Sequence, residues 1–210
     1  MKGPELIPIG GGGDLRAGKI GANEEQAGEA FGYNDVVISL SRAQTVGQGV
    51  PGFGKIDGVS EAYAFEFTNE GNEANEKRLA WDGQVPHSVK TGPGGVSPLR
   101  FHVHFYTGAR VPLVDEVVRF EFNRTVVNIG EVLNTAVSTV SVVIPAGLPA
   151  HSHFLGPLVE VVKPDLVESA DMRGLIRRKS SDALDTYEDS IWPLYNDPHM
   201  QLNKMGTSGV

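Results

Sequence analysis

Phe101-His102-Val103-His104-Phe105-Tyr106 is the stretch that decides the fold class. Phe101, Val103 and Phe105 alternate with His102, His104 and Tyr106. A period of two gives a strand one apolar and one polar face, and would scatter the apolar residues around a helix. The rhythm recurs on both sides. Tyr63, Phe65 and Phe67 alternate with Ala64 and Glu66, and residues 36–40 form a short apolar run. Val118, Phe120 and Phe122 alternate with Arg119 and Glu121, and residues 135–144 are a run of Val, Thr and Ser that suits a pleated sheet. Residues 158–162 and 175–177 are two further candidates. Pro51-Gly52-Phe53-Gly54, Thr91-Gly92-Pro93-Gly94-Gly95 and Pro145-Ala146-Gly147 punctuate the strands as turns do. No apolar 3.6-residue period lasts three turns, although residues 75–79 and 180–187 have room for a turn or two of helix. The expected class is all-β: a jelly-roll-like antiparallel β-sandwich over residues 35–210.

Residues 1–34 read differently, as an extended Gly-rich N-terminal arm. Gly10 to Gly13 are consecutive, and Leu6, Ile7, Ile9 and Leu15 are too sparse for a core of their own. Thirty extended residues reach on the order of 100 Å. Leu6, Ile7, Ile9 and Leu15 are therefore the expected interface residues of an arm lying across a neighbouring subunit.

Composition removes several functions. Lys+Arg 18 against Asp+Glu 26 leaves a net charge of −8, so no nucleic-acid partner is expected of so acidic a chain. With no cysteine, disulfides, thiol nucleophiles and cysteine–zinc sites are excluded. The longest apolar stretch, residues 142–150, contains Pro145, Gly147 and Pro149, so no membrane partner is expected. No basic, apolar leader suggests secretion.

The histidines are the candidates for chemistry. His102 and His104 share one face of a strand with Cα atoms roughly 6.6 Å apart, a spacing from which two imidazoles reach one ion. His151 and His153 repeat the spacing beside a turn, while His87 and His199 each follow a proline. A cupin-like metal enzyme would use His102, His104 and one of His151 or His153. The glutamate that a cupin needs after the first pair is missing, since no carboxylate occurs between His104 and Asp115. A structural ion at an oligomer axis, bound by His102 and His104 from each subunit, is the other metal reading. Otherwise no cofactor is expected, and the ordinary role of such histidines is a polar strand face or a subunit contact.

Other motifs are weaker. Gly47-Gln48-Gly49-Val50-Pro51-Gly52 matches a dinucleotide-binding glycine pattern, but Pro51, Gly52 and Gly54 stop the helix that the pattern must open. Arg173, Arg177, Arg178 and Lys179 form the basic cluster, with Asp182, Asp185 and Glu188 nearby as partners. No Ser-His-Asp set or nucleophile elbow suggests a hydrolase.

Val85-Pro86-His87-Ser88-Val89-Lys90-Thr91-Gly92, followed by Phe101-His102-Val103-His104-Phe105, resembles a family of uncharacterised tailed-bacteriophage proteins with a Pro-His stretch and a His-x-His-Trp strand. Leu175-Ile176-Arg177-Arg178, Asp185-Thr186-Tyr187, Asp197-Pro198-His199 and Gly206-Thr207-Ser208-Gly209 are similar to its closing segment, so the resemblance covers residues 79–210 and also Asp14-Leu15-Arg16. Phe105 stands where the family has Trp, and residues 91–99 are a longer Gly/Pro insert. The resemblance implies a virion-associated structural protein and supplies no catalytic residues.

The expected function is therefore that of a non-enzymatic virion component, a capsid-decorating (cement) or neck/tail-attached protein assembled in the host cytoplasm. Its partners would be itself, as a homo-oligomer and specifically a trimer, and major capsid or neck/tail proteins. Two alternatives stand beside it: the cupin-like metal enzyme, and a carbohydrate- or receptor-binding module stacking sugars on Trp81, Trp192 or Tyr195.

Overall fold

The alternating segments pair into two antiparallel sheets that face each other across one core. A computed structural model describes residues 33–35, 37–58, 61–86, 99–163 and 165–201. Its strands are β1 (Tyr33–Asp35), β2 (Ile38–Ser39), β3 (Gln44–Thr45), β4 (Gly52–Lys55), β5 (Tyr63–Glu66), β6 (Arg78–Gln84) and β7 (Leu99–Thr107). They continue with β8 (Glu116–Val127), β9 (Thr135–Ile144), β10 (His153–Leu155), β11 (Val159–Val161), β12 (Asp171–Arg178) and β13 (Ile191–Gln201). The first sheet runs β1-β13-β7-β10, with β2 also on β13 and β11 also on β7. The second runs β3-β6-β12-β8-β9. The hairpin β4–β5 stands apart from both. The fold is the expected jelly-roll-like antiparallel β-sandwich.

Alternation dictates the core. Phe101, Val103 and Phe105 of β7 are buried against Phe120 and Phe122 of β8, with Phe105 and Phe120 ring centroids 5.4 Å apart. Trp81 of β6 closes this layer on Phe101 at 5.8 Å. Gly174 lies opposite Trp81 on β12, where a Cβ would stand 2.3 Å from the Trp81 ring, so the indole can lie on the strand only because no side chain is there. The basic cluster divides between the faces of β12. Arg178 is buried with Asp185, whereas Arg177 pairs with Glu121 and Glu76, and Arg119 takes Asp182.

Several expectations change. No α-helix occurs among the described residues: Glu73–Asn75 is one 3-10 turn leading into β6, and residues 180–187 are turns. Of the expected strand over residues 36–40, Ile38–Ser39 form β2 and Leu40 opens a 3-10 turn, Leu40–Arg42, while residue 36 lies outside the described residues. The boundary drawn after residue 34 falls inside β1, because Tyr33 and Asn34 pair with Gln201 and Met200. Leu6, Ile7, Ile9 and Leu15 of the arm, like His87, lie outside the described residues. Strand β13 was not foreseen, since Pro193 and Pro198 argue against a central strand. Both are tolerated for local reasons. Pro193 sits at a bulge, and Pro198 falls between the stretch paired with β2 (Tyr195 and Asn196) and that paired with β1 (from His199 on). No helix among the described residues is long and apolar enough to cross a membrane.

Candidate functional site

The outer face of the first sheet gathers imidazoles through strand register. Asp197 of β13 lies opposite His102 of β7, Tyr195 opposite His104, and His199 opposite Arg100. On the other side of β7, His153 of β10 lies opposite Tyr106. The β13 bulge is decisive. Trp192 and Pro193 pair with Tyr106 and Phe105, then the register skips Leu194 so that Tyr195 meets His104. Without that extra residue Asp197 would oppose Phe101 and point into the core.

The polar atoms converge. His102 Nε2 is 2.8 Å from His104 Nε2, 3.5 Å from His199 Nε2 and 3.5 Å from Asp197 Oδ2. Asp197 Oδ2 is also 3.8 Å from both His104 Nε2 and His199 Nε2. His104 Nδ1 meets His153 Nε2 at 3.1 Å, and the Tyr195 ring stacks on His104 at 4.3 Å. His102 and Asp197 are only 6% and 5% exposed. Burial first, and then the neighbouring imidazoles of His102 and His153, lower the His104 pKa to about 4 against the opposing pull of Asp197. His104 is thus a neutral imidazole at pH 7, the form that donates a lone pair. Tyr195 is raised, first by burial and then by Asp197, and stays a phenol.

Of the expected metal residues, His102 and His104 stand together. His153 joins at the rim, while His151 occupies a left-handed turn (φ 54°) outside the cluster. Asp197 and His199 were missed as members of this cluster. Their signal was Asp197-Pro198-His199, the same two-residue spacing as His102-Val103-His104, masked by the proline. The expected sugar platforms Trp81 and Trp192 are 3% and 8% exposed, and Tyr195 is occupied by His104. Burial removes Trp81 and Trp192 as sugar platforms, and Tyr195 is half-buried with one ring face against His104. Among the described residues the exposed aromatics lie elsewhere, on the β4–β5 hairpin, where the Phe53 and Tyr63 rings stack at 6.2 Å and 19°.

A second surface is the edge of the other sheet. β9 pairs with β8 over ten uninterrupted positions, Glu116↔Ile144 through Thr125↔Thr135, and among the described residues no strand pairs with its outer edge. It carries no charge over residues 135–144. Val137 and Val143 are exposed along it, as are Ile129, Val132 and Leu133 in the loop before it.

No family model matches the chain, and no curated protein matches it. Solved structures similar to it include a CBM35 from Cellvibrio japonicus Abf62, at 11% identity and TM-score 0.39 over 84% of this chain and all of that one. A chain of infectious bursal disease virus, Gx strain, matches at 8% identity and TM-score 0.39, over 91% of this chain and 37% of that one. The CBM22-2 xylan-binding domain from Paenibacillus barcinonensis Xyn10C matches at 10% identity and TM-score 0.37, over 80% and 99% respectively.

Proposed function

We propose that the protein is a non-catalytic, homo-oligomeric structural component of a virion, attached to the capsid exterior or to the neck and tail, that works by burying β surface between subunits. The observation that carries this reading is the open edge of β9. Edge strands that must stay single are blunted by charge, proline or a bulge, and β9 has none of these along its ladder. Each chain bears a net charge of −8, so copies repel wherever acidic surface meets. An uncharged strand flanked by exposed Ile129, Val132 and Leu133 is where that repulsion is weakest and apolar gain largest. A second copy of this chain is the occupant. The virion assignment itself rests on the sequence resemblance.

Mass in solution tests the assembly. The wild type is expected at a multiple of 22.5 kDa, three chains by the sequence reading. Val137→Lys combined with Thr139→Lys is expected to yield single chains with an unchanged β spectrum. A wild type that is monomeric at micromolar concentration, or a lysine variant that keeps its mass, overturns the proposal.

One observation favours a second reading, a carbohydrate-binding module. Phe53 and Tyr63 are 53% and 46% exposed with nearly parallel rings, and Lys55 lies over the Tyr63 ring at 5.7 Å. Aromatic faces of this kind stack on sugar rings. Retardation by a panel of soluble polysaccharides in affinity gels, abolished by Phe53→Ala, would support it. Unretarded migration of the wild type on all of them would end it.

A further inference from the structure

We infer that His102, His199 and Asp197, with His104 packed beside them, bind one divalent first-row transition ion within a single chain. Three atoms carry the geometry: His102 Nε2, His199 Nε2 and Asp197 Oδ2 are separated by 3.5, 3.5 and 3.8 Å. A point about 2.1 Å from all three lies at the centre of that triangle, the length of a Zn–N or Zn–O bond. The same three residues form a group whose ligand atoms all lie within 4.8 Å of one another.

Proton counting points the same way. His102 Nε2 faces two imidazole nitrogens and a carboxylate oxygen, yet it carries at most one hydrogen, which can satisfy only one of them. Asp197 adds an independent sign: its Oδ1 is buried and has no hydrogen-bond partner among the described residues. A buried carboxylate with an unsatisfied oxygen beside several imidazoles is costly unless a cation neutralises it. When the ion binds through His102 Nε2, the single hydrogen of that neutral ring sits on Nδ1.

The donor set selects the ion. Imidazole nitrogens suit zinc, copper, iron or nickel, whereas calcium and magnesium prefer oxygen. Surrounding contacts hold the donors in place. His104 Nδ1 is engaged by His153 at 3.1 Å and its ring lies against Tyr195, so its Nε2 stays turned towards His102 and Asp197. The ligands come from β7 and β13, so the ion pins the last described strand to the middle of its sheet. This differs from an ion on an oligomer axis: the set is complete in one chain and does not depend on the proposed assembly.

Zinc alone, titrated calorimetrically into full-length chain stripped with chelator, tests the site. One zinc per 22.5 kDa chain is expected. Asp197→Asn and His199→Ala should each weaken binding by at least the roughly 10–100-fold by which even outer-shell partners act, while His151→Ala leaves it unchanged. Cobalt bound to the wild type should give the visible absorption of a low-coordinate nitrogen/oxygen site, a readout independent of whether any variant folds. Absence of zinc uptake, one zinc per three chains, or unaltered affinity in both folded ligand variants overturns the inference. Because subunit mass reads the assembly and zinc per chain reads the site, either can fail without the other.

Discussion

Asp185→Ala is expected to destabilise the protein by about 3–5 kcal/mol, because it strands a charge in the core. Arg178 and Asp185 both have fully buried side chains. The carboxylate accepts from Arg178 Nη2 at 2.9 Å and Nε at 3.2 Å, and also from the Arg119 backbone N–H at 2.9 Å. The rest of the guanidinium is spent on backbone carbonyls: Phe67 at 3.2 Å and Asp189 at 2.6 Å through Nη1, and Tyr187 through Nη2. One ion pair thereby ties the end of β12 to the residue after β5 and to the loop leading into β13. Carbonyl dipoles cannot replace the lost negative charge. Urea denaturation should show a lower midpoint at an unchanged slope, and the melting temperature should fall by about 10 °C for a chain of this size. Adding Arg178→Met removes the stranded charge and should recover much of the loss. A single variant that melts within 2 °C (about 1 kcal/mol) of the wild type would show that the pair is not holding these segments.

Gly49→Ala is expected to cost about 3 kcal/mol, the upper end of overpacking penalties. A Cβ at Gly49 would stand 1.9 Å from the Glu76 carbonyl oxygen and 2.7 Å from its carbon, and both are backbone atoms that cannot rotate away. Displacing Glu76 also disturbs its buried carboxylate, which accepts from Ser181 Oγ at 2.6 Å and Lys179 Nζ at 3.1 Å. Gly54→Ala is the control from the same glycine-rich stretch: nothing lies within 4 Å of its Cβ position, so its effect should stay within about 0.5 kcal/mol. Equal midpoints for the two variants would refute the close approach. The glycine spacing that imitates a nucleotide-binding turn therefore has a packing cause at Gly49 and none in phosphate chemistry.

The parts of the fold legible in the sequence are those where burial and alternation coincide. β7 and β8 each bury one face fully and leave the other largely half-buried and polar, so Phe101, Val103, Phe105, Phe120 and Phe122 announced themselves as core. β9 begins and ends where the Val/Thr/Ser run does. β13 stayed hidden because two prolines disguise it, and β6 because Arg78, Asp82 and Gln84 dilute its apolar residues. Of the imidazole cluster, His102 and His104 could be read as a pair because they are neighbours on one strand. Asp197 and His199 could not be joined to them, being more than ninety residues away.

Local periodicity by itself determined that this chain is a β-sandwich and which side of β7 is apolar, since side chains two residues apart must share a face whatever the strand pairs with. Which strands meet, and in what register, was decided only by the tertiary structure. Parity makes this so: one bulged residue after Pro193 turns the remainder of β13 over, moving Tyr195, Asp197 and His199 from the core face to the side where His102 and His104 wait.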